Sequence, residues 1–210
     1  MTSPVRILGR RPSINVRKVL WALDEVGRAY EFETWEDQPS AARVAALHAL
    51  NPNGQFPILV DSSAPLWESN TLCRYVIGEA GRSDLLPTEP RARAHVECWM
   101  DWQATDLNDS WRYAFLALQR RKAGYDDPRL IRASVDAWND KMAILDAQVE
   151  RTGAFAVGNR FTAADIVLGL SVHRWLGTPI ERRDLPGVTA YYERLSSRAH
   201  FRTHASSALI

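Results

Sequence analysis

The sequence predicts an α/β unit followed by an all-helical one, and three observations carry that reading. Over the first eighty residues, short β-patterned runs alternate with helical periodicity. The stretch "GRSDLLPTEP" then concentrates glycine, proline and charge, as a linker does. Beyond Pro90 apolar residues recur at spacings of three and four, and no convincing strand appears. The expected division is 1–81, a linker over 82–90, and 91–210.

The elements follow in order. "VRILG" reads as a strand. Val16, Val19, Leu20, Leu23 and Val26 give 14–27 one apolar face, and Gly27 can end that helix in the left-handed conformation. "YEFETW" places Tyr30, Phe32 and Thr34 at period two, so it reads as a second strand. "AARVAALHAL" is a short helix ended by the turn chemistry of "NPNG". "PILVD" and "PLWES" are short strands separated by "SSA", and a helix follows over 70–80. This order suggests a mixed sheet. Helices are then predicted over 91–120, 128–151, 163–176 and 187–196. In "FTAADIVLG", Thr162 and Asp165 stand in capping-box register, with Phe161 and Ile166 at staple positions, so Asp165 reads as a folding residue.

Composition excludes several function classes. Of 210 residues, 46% are hydrophobic and 24% charged, as in an ordinary globular protein. The 26 basic and 25 acidic side chains leave a net charge of +1, which offers no footprint for nucleic acid or an anionic membrane. No apolar run approaches the ~18 residues of a membrane span. "MTSPVRILGR" lacks a signal-peptide apolar region. Cys73 and Cys98 have neither CxxC nor disulfide-framework spacing; they read as buried free thiols in a reducing, cytoplasmic compartment. His48, His95, His173, His200 and His204 show no metal-ligand spacing, and no metal is expected. Five of eight tryptophans, Trp99, Trp102, Trp111, Trp138 and Trp175, fall in the helical half, where they bring large buried area and flat faces.

Ser13 and Asn15 precede or open the first helix. Both residue types cap helices, and both can act on a group bound at a helix start; the stretch alone leaves the two roles open. Two further segments bear on the choice, "NPNGQFPILVD" and the strand-to-helix junction "LWESNT". In this order, ahead of an all-helical unit and with "FTAADIVLG" and "LPGVTAYYERLSSRAHF" near the end, the chain resembles the cytosolic glutathione transferase family over nearly its whole length.

The resemblance implies a thioredoxin-like N-terminal domain with a mixed four-stranded sheet, an all-helical C-terminal domain, glutathione as co-substrate, and a homodimer. It makes Pro57 a cis-proline, so that the Phe56 backbone pairs with the tripeptide's cysteinyl backbone in a strand-like manner. Gln55 would reach the glycyl carboxylate, Ser69 the γ-glutamyl carboxylate at a helix N-terminus, and Glu68 the ammonium. Ser69 is also expected to cap helix 70–80. Ser13 matches the residue that donates to the glutathione sulfur in serine-type members. Asn15 matches the Thr-x-Asn turn of nu-like, disulfide-reducing members. Ser13 ranks ahead of Asn15 as activator, and the other residue is expected to cap the helix. Activation needs about two pKa units, or ~2.7 kcal/mol. A hydrogen bond to a charged group supplies roughly 1.5–3 kcal/mol, and the helix N-terminus a further ~0.3–1 kcal/mol.

This turn has no cysteine, and no tyrosine precedes Tyr30, which disfavours catalysis through a protein thiol or phenol. By resemblance Trp111, Arg112, Tyr113 and Phe115 form the pocket for a small hydrophobic electrophile, with Arg112 as a cation near the sulfur. Asp106 is placed near the glutathione ammonium, across a dimer interface. The expected activity is addition of the glutathione thiolate to that electrophile. Two alternatives stand beside it: glutathione-dependent reduction of disulfides or peroxides, and a non-catalytic binding or scaffold role.

Overall fold

A computed structural model describes residues 4–36 and 38–206. The first three residues of "MTSPVRILGR" therefore lie outside the described chain. The N-terminal unit runs β1 (Val5–Gly9), α1 (Ile14–Val26), β2 (Tyr30–Thr34), α2 (Ala41–Leu50), β3 (Ile58–Val60), β4 (Leu66–Trp67) and α3 (Ser69–Glu79). The four strands form one mixed sheet in the order β2-β1-β3-β4. β1 runs parallel to β2, with Ile7 opposite Phe32, and antiparallel to β3, with Ile7 opposite Leu59. A parallel neighbour requires a crossover, and α1 supplies it. This is the thioredoxin-like arrangement.

Period-two alternation sends the sheet's side chains into two cores. Val5, Ile7 and Leu59 join α1 and α3 in the main core. Leu8 and Ile58, one residue out of phase, join Trp35 and Leu47 beneath α2. The strand-to-helix crossing is tight: a Cβ on Gly9 would stand 2.5 Å from Val16 Cγ2. At the other end of α1, Gly27 has φ 67°, and its N–H meets the Leu23 and Asp24 carbonyls, as its sequence position predicts.

The remainder is helical: α4 (Pro90–Trp102), α5 (Asn108–Ala114), α6 (Pro128–Thr152), α7 (Ala163–Gly177), α8 (Pro186–Ser196) and α9 (Ala199–His204). Where one helix is predicted over 91–120, the chain does stay helical, but two π turns, Gln103–Leu107 and Phe115–Gln119, interrupt the α pattern. A π turn accommodates one extra residue without breaking the rod, so apolar spacing alone does not reveal it. α9 is too short to announce itself by periodicity. Glu89 and Asp127 cap α4 and α6, each followed by proline at the first helical position.

α1 also carries the contact between the two halves. Trp21, fully buried, lies 5.6 Å from the Phe161 ring and 5.2 Å from Phe201. Asp24 pairs with His204 at 2.6 Å and Glu25 with Arg198 at 2.8 Å. Cys73 is buried in α3, but Cys98 is exposed on α4, contrary to the expectation for both thiols. Its helical position happens to fall on the solvent side, two residues from the buried Val96 and Met100.

Asp165 organises the far end of the helical half. Its carboxylate accepts from the Thr162 N–H at 2.8 Å, the Thr162 hydroxyl at 3.1 Å, the Ala156 N–H at 2.9 Å and the Tyr191 hydroxyl at 2.9 Å. The group is fully buried. Removing the acceptor strands several donors, each at ~1–3 kcal/mol. Asp165→Ala is therefore expected to lower stability by more than ~3 kcal/mol, and Thr162→Ala by nearer ~1 kcal/mol, as read by urea unfolding.

Candidate functional site

The site forms where the ends of α1, β3 and α3 converge. The loop ahead of β3 is held by Asn51: its Nδ2 donates to the Gln55 carbonyl at 2.9 Å, and its Oδ1 accepts from the Asn53 N–H at 3.0 Å. Gly54 has φ 61°, and a Cβ there would meet His48 Cε1 at 2.7 Å, so the turn closes against the end of α2. The Phe56–Pro57 bond is cis. Among the described residues, the Phe56 N–H and C=O join no backbone hydrogen bond, while its ring packs 5.2 Å from Trp35.

Beyond β4 the chain enters α3 through Glu68, at φ 72° and ψ 108°. Glu68, not Ser69, occupies the cap position, and Ser69 is the first helical residue. The cause is the kinked entry itself, which starts the helix at Ser69, one residue earlier than predicted. The Ser69 hydroxyl and the first N–H groups of α3 are thereby left facing the site instead of being spent on one another.

At α1 the predicted cap also fails. Ser13 has the extended backbone of a cap, yet its side chain makes no capping bond, and Asn15 already lies within the helix. Asn15 Oδ1 is buried with no hydrogen-bond partner. Asn15, Gln55, Phe56, Pro57, Glu68 and Ser69 all line a single cavity of about 150 Å³, and Asn51 completes its wall. Ser13 is not among those lining residues. Asn51 was missed in the sequence, where it read only as turn chemistry. Larger clefts exist, one of about 620 Å³ between α6 and the α7–α8 connection, but none gathers these uncommitted polar groups.

None of the four residues expected on the helical side lines this cavity. Trp111 and Phe115 meet edge to face at 5.4 Å. Arg112 points away, largely solvent-exposed and paired with Asp109 at 3.3 Å. Tyr113 packs against Tyr125, the rings tilted with centroids 5.0 Å apart, and its hydroxyl accepts from the Asp127 N–H. One turn of helix separates these faces, so four near-consecutive residues cannot all look inward. The cation over the aromatic pair is Arg174 of α7, 4.4 Å from the Trp111 ring and 4.2 Å from Phe115. Asp106 is bound within the chain by Lys141 at 2.9 Å, which holds its carboxyl below the usual range.

Comparison with known proteins bears on what such a site belongs to. Residues 3–77 match the family described as glutathione S-transferase, N-terminal domain. GstB of Escherichia coli strain K12, a glutathione S-transferase, is 30% identical over 196 residues, covering 92% of this chain and 94% of that one. The chain belongs to the glutathione S-transferase family. Its fold superimposes with a TM-score of 0.90 on the theta class glutathione S-transferase of Xanthomonas axonopodis pv. citri with glutathione bound, at 34% identity over 99% of this chain. A rice protein, elongation factor 1-gamma 2, is 24% identical over 73% of this chain but only 37% of its own length.

Beside this cavity lies a buried polar network that the sequence did not announce. Lys18 Nζ donates to Gln103 Oε1 at 2.6 Å and Asn70 Oδ1 at 3.2 Å. Gln103 Nε2 donates to Ser171 Oγ at 3.0 Å and Asn108 Oδ1 at 3.1 Å, and Asn108 Oδ1 also accepts from Trp111 Nε1. The network thus joins α1, α3, α7 and the first π turn. It runs from the residue after Ser69 to the aromatic wall.

Burial pushes the Lys18 pKa down to about 7. The unfolded chain, with an ordinary lysine, binds more protons than the folded one between about pH 7 and ~10.5, so this group makes stability rise with pH across that window. Lys18→Met is expected to flatten that rise relative to the parent, read as the difference in unfolding free energy between pH 7 and pH 9.5. Equal slopes in the two proteins would place the titration elsewhere.

Proposed function

We propose that this chain binds glutathione in the cavity of residues 15, 51, 55–57, 68 and 69, activates its thiol, and adds the thiolate to a small hydrophobic electrophile. The observation that carries the reading is the set of uncommitted polar groups at one place: the Phe56 backbone, the Ser69 hydroxyl, the Glu68 carboxylate and the Asn15 amide. A fold normally satisfies such groups internally. Here they match the parts of a γ-glutamyl tripeptide.

The Phe56 N–H and C=O pair with the cysteinyl backbone, and Gln55 meets the glycyl carboxylate. The start of α3, with Ser69, takes the γ-glutamyl carboxylate, and Glu68 takes the ammonium. The sulfur then lies against the start of α1. Asn15 Nδ2 donates to it from the cavity wall, Ser13 donates from the rim, and the helix N-terminus adds favourable potential. One such charged hydrogen bond at roughly 1.5–3 kcal/mol, with the helix end, supplies the ~2.7 kcal/mol needed for a shift of two units. Solvent accepts the proton.

Cys73 cannot substitute as a protein nucleophile, since burial pushes its thiol up to about 12. A second reading, glutathione-dependent reduction of disulfides or peroxides, uses the same thiolate and is favoured by Asn15 rather than Ser13 lining the cavity. We place residues 1–81 as the glutathione unit, 82–90 as its connection, and 91–210 as the electrophile unit. A homodimer in the cytoplasm fits the family; among the described residues no helix is long and apolar enough to cross a membrane.

Titrating the protein–glutathione complex between pH 5 and 9 by thiolate absorbance tests this. The bound thiol is expected to ionise near ~6.5 in place of ~8.5. Asn15→Ala is expected to raise it by about one unit and Ser13→Ala by less, with the double variant returning toward the free value. Binding with an unshifted thiol in the parent protein would replace the transferase reading with a carrier or scaffold role.

A further inference from the structure

The helical wall of the site holds more positive charge than the fold neutralises. Arg174 is 5% exposed and Arg17 only 1%, so both are nearly interior. Arg174 meets two aromatic faces, Trp111 and Phe115, but its guanidinium makes no hydrogen bond or ion pair among the described residues, and its Nε is buried without a partner. Arg17 donates once, from Nη1 to the His204 carbonyl at 2.7 Å, and leaves Nε and Nη2 buried and unpartnered. Arg120, exposed at the end of the second π turn, sets its guanidinium 5.3 Å from the Phe115 ring on the same wall.

Arg174 feels Arg17 and Arg120, and Arg17 feels Arg120. Burial first, then Arg17 and Arg120, press Arg174 down to about 9; burial first, then Arg120, press Arg17 down to about 10. Among the described residues, no carboxylate acts on either. Guanidinium stays charged in proteins, and buried charge is ordinarily paired, so three converging cations without a carboxylate describe a site lacking its anion. The location ties this cluster to the thiol site. Arg17 lies one helical turn beyond Ser13 on the same face of α1, and Lys18 feels both Glu68 and Arg174.

We propose that Arg174, Arg120 and Arg17 bind the anionic group of the electrophile, so that the preferred substrates are small aromatic electrophiles carrying a carboxylate. The inference rests on the transferase reading above and names its substrate class. Arg174 already covers Trp111 and Phe115, so the substrate ring borders the half-buried edge of Trp111 while the guanidiniums take the carboxylate in the forked geometry they favour. In the reaction the glutathione sulfur forms a C–S bond at an activated ring carbon. The leaving halide departs with the electron pair of its bond, and the thiol proton has already gone to solvent. The carboxylate is unchanged and serves only to orient the ring.

The experiment compares 4-chloro-3,5-dinitrobenzoate with its uncharged amide, each rate divided by the uncatalysed rate with glutathione. The parent enzyme is expected to favour the carboxylate at least tenfold in kcat/KM, chiefly through KM. Arg120→Met, the exposed and least structural of the three, should cut that ratio about fivefold, with Arg120→Lys restoring part of it. Arg174→Met should cut it further; circular dichroism and glutathione binding check that this variant folds. A parent ratio near one, or a ratio unmoved by Arg120→Met, overturns the anion site while leaving transferase activity intact. Turnover of neither compound, with glutathione bound and its thiol unshifted, overturns the transferase reading instead. In that case competition between unreactive 3,5-dinitrobenzoate and its amide for the protein still decides the anion site: carboxylate preference supports it, and equal binding overturns it.

Discussion

Everything in this molecule depends on α1 being buried on every side. From Val16 to Leu23 no residue is exposed, and the run includes Arg17 and Lys18. One face packs on the sheet and α3, and the other receives α7 and α9. A helix in that position has only its ends left for chemistry. Its N-terminal end brings Asn15 to the cavity wall, and its dipole comes fixed by the packing of the whole fold. The rigid body of α1 is thus what gives a short polar turn a reproducible geometry.

The same burial creates a problem that the fold answers in two ways. Lys18 is satisfied, by Asn70 and Gln103, and its network stitches the sheet unit to the helical unit. Replacing such a group leaves the partners stranded, which makes the two halves interdependent. Arg17 and Arg174 are satisfied only in part. Unpartnered buried nitrogens also occur elsewhere, at Trp138 and Arg198 for example; what sets this wall apart is that two nearly interior guanidiniums meet there.

How much of this was legible depended on whether the determining forces were local. The strands of "VRILG" and "YEFET", the helix ended by Gly27 and the Thr162–Asp165 motif follow from period and capping chemistry a few residues long. The cavity residues 55–57 and 68–69 were found because three motifs occurred in a familiar order, not because any one compelled it. What escaped was non-local. The π turns at Gln103 and Phe115 shift which residues face inward, so Arg112 turned outward and a cation from α7 took its place. Nothing local in the sequence singles out Lys18 or Arg174, since nothing local says that two apolar layers will close over them. The Ser69 cap failed for a related reason: the backbone at Glu68 is set by its exit from the β4 edge, not by helix preference.

Glu68 carries a consequence of its own. A residue with a side chain at φ 72° costs free energy that glycine would not, on the order of 1 kcal/mol. Glycine at 68 would relax the backbone and delete the one carboxylate on the cavity wall. Selection for thermal robustness and selection for ligand recognition therefore pull this position in opposite directions. A lineage that abandoned tripeptide recognition while keeping the fold would be free to drift toward glycine there. Backbone ease and a carboxylate on the cavity wall are thus mutually exclusive at position 68.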